Sequence, residues 1–237
     1  KKNFLFLEFV RFVKELRPQW FVLENVGGIT NINEGKTQTM IEDCFKAIKG
    51  YECVSSSILC ASDFGVPQNR NRFFMVGNRL GIKFKYPSKH EKKITVDEAI
   101  NDLPSLQNGD MIDEAVYTLS LDEASDYERL MRKDSDAPKQ NYVSRNNDLV
   151  IERYKYIGQG QNWRAIPEYL MQNYADKGRC HSGIYKRLRA DKPSVVISNY
   201  RKSMLIHPWE DRGISVREAA RLQSFPDTFT FEGPLMH

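Results

Sequence analysis

The chain has 237 residues, 41% of them hydrophobic and 28% charged, with a formal net charge of +4. That balance suits one large domain or two small ones around a real core, and it excludes a wholly disordered chain. No apolar run approaches the roughly 20 residues of a membrane-spanning helix, and the start Lys1-Lys2-Asn3-Phe4 does not read as a signal peptide, because Glu8 and Arg11 interrupt the apolar stretch behind it.

The four cysteines, Cys44, Cys53, Cys60 and Cys180, form no CxxC pair. A zinc site or a disulfide framework is therefore disfavoured, and a reducing, cytoplasmic setting fits. The chain opens at Lys1 and runs straight into helical sequence, as a piece of a longer protein would.

Residues 3–17 read as an amphipathic helix, with Phe4, Leu5, Leu7, Phe9, Val10, Phe12, Val13 and Leu16 crowding one side and Pro18 as its stop. Trp20-Phe21-Val22-Leu23 reads as a buried parallel strand. It ends in Glu24-Asn25 and then Gly27-Gly28, and in an open α/β sheet ligands bind at the carboxyl ends of the strands. A second helix is expected over 36–48, with Gly50 past its end. Strand-like runs at 51–60 and 72–78 are joined by a connection holding Gly65, Pro67 and Asn69, as in a hairpin with an irregular loop. A short helix is expected over 95–102 before Pro104, and residues 105–140 are polar and mixed. Farther on, Val195-Val196-Ile197 reads as a short strand, and 215–223 as a helix with Ser215 as N-cap and Glu218 as its capping-box partner. Internal repeats are absent.

The charge is unevenly laid out. From Asp97 to Asp136 there are 12 acids and 3 bases, a net of −9; from Asn141 to Arg221 there are 15 bases and 8 acids, a net of +7. The acidic stretch reads as a solvated, partly mobile face. The basic half carries Tyr154, Tyr156, Trp163, Tyr185 and Tyr200, which suits either a polyanionic partner or an ordinary solvated surface.

Three segments carry chemistry. In Phe21-Val22-Leu23-Glu24-Asn25-Val26, a carboxylate behind a buried strand is partly desolvated, which favours holding a proton; the same Glu24 could equally be a capping or salt-bridged residue. In Gly65-Val66-Pro67-Gln68-Asn69-Arg70-Asn71-Arg72, Arg70 and Arg72 share one face if the chain is extended, and two guanidiniums can grip a carboxylate, a phosphate or a base carbonyl; two surface arginines are the plainer alternative. In Ser215-Val216-Arg217-Glu218-Ala219-Ala220-Arg221-Leu222-Gln223-Ser224-Phe225-Pro226, Arg217 and Arg221 lie on one helix side and Glu218 is spaced to pair with Arg221. That helix reads as an organiser of neighbouring segments.

In this order the three segments resemble the DNA cytosine-5 methyltransferase family. Glu24-Asn25-Val26 is similar to its ENV motif, Gln68-Asn69-Arg70-Asn71-Arg72 to its QxRxR motif, and Arg217-Glu218-Ala219-Ala220-Arg221-Leu222-Gln223 with Phe225-Pro226 to its RExARLQxFP motif. Between the second and third, Gly160-Gln161-Asn162-Trp163-Arg164, Tyr185-Lys186-Arg187-Leu188 and Lys192-Pro193-Ser194 resemble lesser signposts of the family's target-recognition region.

The resemblance implies an α/β fold: the later half of a Rossmann-like S-adenosylmethionine-dependent methyltransferase domain over 1–84, a mixed, strand-rich target-recognition domain over 85–210 that binds double-stranded DNA, and a return to the catalytic domain over 211–237. It implies methyl transfer from S-adenosylmethionine to C5 of a flipped-out cytosine. It assigns Glu24 to N3 and the exocyclic amine, Arg72 to the cytosine O2, and Arg70 to holding the closed catalytic loop. Asn25 and Gln68 are assigned to substrate binding or orientation, and Arg217, Glu218 and Arg221 to structure. No metal is implied.

The family's Pro-Cys nucleophile motif and its Phe-x-Gly-x-Gly cofactor motif do not occur in these 237 residues, and the Gly-Asn motif that normally follows the RExARLQ helix is absent after Pro226. The resemblance therefore implies that a missing amino-terminal half supplies the nucleophile and most of the cofactor site, and that this piece is inactive alone. It would be a deliberately shortened piece, a truncated product or one half of a split enzyme. A non-catalytic DNA-binding or specificity subunit and an RNA cytosine methyltransferase are the rival readings.

Overall fold

The computed structural model describes residues 5–29, 36–173, 183–201 and 205–233. The chain divides into two compact units, residues 1–64 with 70–90 and residues 65–69 with 91–237. The first unit closes at His90, whose backbone N donates to Asp63 O, while Lys89 Nζ pairs with the Asp63 carboxylate at 2.8 Å.

The first unit is built on a three-stranded sheet. Helix α1 (Leu5–Leu16) ends where Arg17 takes a positive φ ahead of Pro18. Strand β1 (Trp20–Val26) follows, then α2 (Lys36–Lys46), β2 (Cys53–Cys60) and β3 (Asn71–Asn78). The sheet order is β1-β3-β2, and β3 runs antiparallel to both neighbours. Thus β1 and β2 are parallel to each other, joined through α2, with β3 inserted between them.

The expectation that β1 is a continuously buried parallel strand does not hold. Among the described residues it is an edge strand with an antiparallel neighbour, and its residues alternate: Phe21 is buried while Trp20, Val22 and Val26 are exposed. An edge strand covered on one face has a period of two however apolar its sequence is. The covered face meets both helices. Phe21 and Phe45 stack at 4.3 Å, Phe9 meets both rings edge-on, and Val13, Ile41, Tyr51, Phe73 and Met75 complete the core. Gly77 sits opposite Phe21 in the ladder, and a Cβ there would lie 2.4 Å from the Phe21 ring. Helix α1 is amphipathic as expected, but it buries only Val13 fully and leaves Leu5, Leu7, Phe12 and Leu16 exposed.

The second unit is more irregular. Its elements are α3 (Asp97–Ile100), β4 (Met111–Glu114), α4 (Asp126–Met131), β5 (Lys139–Tyr142), α5 (Asp148–Tyr154), β6 (Lys186–Arg187), β7 (Leu205–Ile206) and α6 (Val216–Arg221). β4 and β5 form an antiparallel pair, and β6 and β7 a parallel one. One core cluster joins Val96, Ala99, Ile100 and Leu103 to Tyr127 and Met131 of α4 and to Ala219 and Leu222 around α6; a second gathers Tyr154, Ile157, Ile166, Met171, Tyr185 and Ile206.

Two further expectations are corrected here. Residues 97–136 are a solvated face only in part: Asp113, Glu114, Asp122, Glu123 and Asp134 are exposed, but α3 and α4 supply much of that first cluster, and Asp102 and Glu128 are buried. Val195-Val196-Ile197 forms no strand: Val195 and Val196 are exposed and only Ile197 is buried, while the neighbouring Ser194 makes a single parallel bridge to Gln68. Residues 205–233, α6 included, pack within this second unit. Among the described residues no helix is long and apolar enough to cross a membrane.

Candidate functional site

The register of the first sheet builds the site. Glu24 lies opposite Phe74 and Val26 opposite Arg72. Arg72 is therefore the diagonal neighbour of Glu24 on one sheet face, within reach of a long side chain. The Arg72 Nε and Glu24 Oε1 atoms are 2.8 Å apart, and Arg72 Nη1 also donates to the Asn71 carbonyl. The Glu24 side chain is 52% exposed and that of Arg72 21%. The desolvated carboxylate expected from a buried strand is thus replaced by an accessible, ion-paired one, because β1 is an edge strand. A half-exposed carboxylate locked to a fork-shaped donor presents an acceptor beside N–H donors, a combination that suits the edge of a heterocyclic base.

The other predicted residues are distributed differently. Asn25 projects from the opposite face of β1, and its Oδ1 accepts from Val26 N. Arg70 is half-buried and lies just before β3, so it does not share a strand with Arg72. Gln68 belongs to the second unit and is 1% exposed. Its Nε2 donates to Leu222 O at 3.4 Å, and the chain around it is stitched to Ser194 by Ser194 N to Pro67 O and Asn69 N to Ser194 O. Gln68 thus anchors backbone through its Nε2, while its buried Oε1 has no hydrogen-bond partner among the described residues. Cys44 lies in α2, and Cys53 and Cys60 bound β2; all three are free thiols. Cys180 lies outside the described residues.

In α6, Ser215 and Glu218 form the expected capping box: Glu218 N donates to Ser215 Oγ and Ser215 N to Glu218 Oε2. The expected Glu218–Arg221 pair is not made. Glu218 takes a two-pronged grip from Arg212, at 2.9 and 2.8 Å, while Arg221 binds Asp102 and Asp227 at 2.9 and 2.7 Å. Arg217 donates to three backbone carbonyls, those of Lys139, Pro226 and Phe229. Burial alone would raise the Glu218 pKa, but Arg212 and the Ser215 amide outweigh it and hold the carboxyl down at about 2.

His207 is buried, and desolvation lowers its pKa. Its Nδ1 accepts from the amides of Trp209 and Glu210, and its Nε2 lies 3.6 Å from Glu218 Oε1, outside hydrogen-bond distance.

Sequence reasoning does not single out Asp102, Asp227 or Arg212. Asp227 follows directly on Phe225-Pro226, which is the available signal; Asp102 is lost in an acidic stretch.

S-adenosylmethionine asks for a glycine-rich turn after a strand and an acidic partner for its ribose. Gly27-Gly28 do follow β1, yet the Glu24 carboxylate just before them is held by Arg72, and Asp63 is held by Lys89. A shallow concavity of about 820 Å³ along α2 holds none of the predicted site residues. The described residues alone do not fit that group.

Comparison with known proteins gives the class. The model of the C-5 cytosine-specific DNA methylase family matches residues 1–235, and the chain belongs to that family. It is 34% identical over 234 residues to the type II methyltransferase M1.HphI of Haemophilus parahaemolyticus, covering 98% of this chain and 54% of that protein. To the type II methyltransferase M.DdeI of Desulfomicrobium norvegicum it is 32% identical, covering 98% and 59%. Among solved structures, a prophage-encoded E. coli protein named as a DNA modification methyltransferase superposes with a TM-score of 0.69 at 23% identity, over 97% of this chain and 65% of that one, which shows a shared fold. The chain spans a little over half the length of these two curated relatives.

Proposed function

We propose that the whole protein to which this chain belongs is a DNA cytosine-5 methyltransferase that acts on a cytosine flipped out of duplex DNA, with S-adenosylmethionine as methyl donor. The observation that carries the reading is the Glu24–Arg72 pair at 2.8 Å, since it unites one residue from each of two segments that resemble family motifs. Glu24 takes the N3 and exocyclic amine edge of the cytosine, and Arg72 takes the O2. Drawing electron density toward N3 makes C6 electrophilic enough for a thiolate to add. Arg70 holds nearby backbone and Asn25 orients the strand end. Gln68 acts by anchoring its segment. In this reading 1–84 and 211–237 serve the catalytic domain and 85–210 recognises DNA.

The nucleophilic cysteine and most of the donor's site come from an amino-terminal half. The edge of β1 left open among the described residues, with Val22 exposed beside the uncovered Phe12 and Leu16 of α1, supports such a partner segment.

The test of the site is Glu24→Gln in the full-length protein. Methyl transfer should fall by the equivalent of about 3–4 kcal/mol in the barrier while DNA binding survives; a full-rate variant overturns the assignment. The test of the division of labour is a radiolabelled methyl-transfer assay on this chain alone and mixed with the amino-terminal piece. Activity is expected only in the mixture.

A further inference from the structure

Between Asn141 and Arg221 there are 15 bases against 8 acids, an excess of 7, but the structure buries or pairs many of the bases. Arg153, Arg187, Arg212, Arg217 and Arg221 are buried. Lys155 and Arg189 pair with Glu152 and Asp191. Of the bases left over among the described residues, Arg145, Arg164, Lys186, Lys192 and Arg201, the first and last come together. Neither has a carboxylate partner among the described residues, and both line one concavity of about 580 Å³ in the second unit, together with Gly109, Met111, Tyr142 and Ser144.

The concavity is braced by backbone. Met111 pairs with Tyr142 across β4 and β5, and Val143 N donates to Asp110 O at 2.8 Å. Asn108 and Asn146 exchange two hydrogen bonds, at 2.8 and 2.9 Å. Gly109 has a φ of +87°, and a Cβ there would lie 2.7 Å from Arg145 Nε. The Arg145 side chain therefore runs across bare glycine backbone. Arg201 Nε donates to Ser144 Oγ at 3.2 Å, which brings the second guanidinium to the residue next to Arg145. Two acids lie close by: Asp113 accepts the Tyr142 hydroxyl and Asp110 the Gln107 amide, each at 2.7 Å. Among the described residues no carboxylate or carboxamide side chain lines the concavity, so its polar side chains are the two guanidiniums and the Tyr142 and Ser144 hydroxyls. It offers positive charge with forked donors.

We propose that this cleft is a clamp for a backbone phosphodiester of duplex DNA, with Arg145 and Arg201 as its two donors. The proposal rests on the reading of the whole protein as a DNA methyltransferase. A contact of this kind fixes register on the duplex without reading sequence.

The test uses Arg145→Gln, Arg201→Gln and the double variant in the 237-residue chain and in the full-length protein, titrated against two duplexes of unrelated sequence over a series of salt concentrations. Each single variant is expected to weaken both duplexes by a similar factor and to lower the slope of log K against log salt by about 0.9. Gly109→Ala removes no charge but displaces Arg145, and should weaken binding in the same sense. Thermal melting of each variant separates loss of contact from loss of fold. Unchanged affinity and slope in folded variants overturn the clamp alone and leave the methyltransferase reading standing. A loss confined to one sequence overturns it in favour of a base contact. Failure of the wild-type full-length protein to bind any duplex overturns both readings.

Discussion

Glu218 and Arg212 illustrate what a buried charge demands of its surroundings. Both side chains are 2% exposed, and each would be strongly unfavourable without the other. Removing one partner strands the second, so Glu218→Gln should destabilise the second unit by about 3–5 kcal/mol, read from the denaturant midpoint. The pH dependence has a definite sign. The Glu218 carboxyl falls from its ordinary 4.5 to about 2 in the folded protein, so its contribution is complete above pH 4.5 and is lost as pH falls through that window toward 2. The shift corresponds to about 3 kcal/mol, and Glu218→Gln should flatten the acid limb of the stability profile there. An unchanged acid limb would show that another carboxylate governs it. The Glu24–Arg72 pair is accessible by contrast, and its value lies in geometry more than in stability.

At the scale of elements, two devices set the framework around these residues. The capping box of α6 satisfies two amides at the start of a helix only six residues long, which has little propensity of its own to spare. Ser215→Ala should cost about 1 kcal/mol, visible as a lowered melting temperature. In the first sheet, Gly77 leaves room for the Phe21 ring that stacks on Phe45. Gly77→Ala forces that ring aside and should cost about 1–3 kcal/mol, most of which Phe21→Leu in the same chain should recover. No recovery would mean that the cost is backbone strain and not overpacking.

For the whole molecule, the two units carry different parts of the proposed chemistry, and binding experiments should separate them. Arg145 and Arg201, which have no carboxylate partner among the described residues, belong to the second unit, whereas the Glu24–Arg72 pair belongs to the first. Duplex affinity is therefore expected to reside in residues 141–212 and to fall steeply with salt. A folded fragment of residues 1–90 that bound duplex DNA as tightly as the whole chain, with the same salt slope, would contradict this. Bisulfite sequencing of DNA from cells expressing the full-length protein would test cytosine C5 as the target.

Much of this was legible in the sequence, and for identifiable reasons. Helix α2, the β2–β3 hairpin, the short helix before Pro104 and the Ser215–Glu218 box follow from periodicity, turn residues and cap spacing, all of which are local. The order of the three motif-like segments was enough to point to the family that the comparisons establish. Partners distant along the chain were not legible. Whether Glu24 sits in a dry pocket or on an open edge depends on which strand lies beside β1, and its ion pair depends on a register set between strands that α2 and β2 separate in sequence. Likewise, Glu218 and Arg221 are well spaced to pair, yet Arg212, Asp102 and Asp227 claim them, because a buried charge takes whichever opposite charge the fold brings closest with good geometry. The sequence also counts every arginine equally as positive charge. Only the tertiary structure separates those buried as struts from Arg145 and Arg201, because burial and pairing are properties of packing and not of composition.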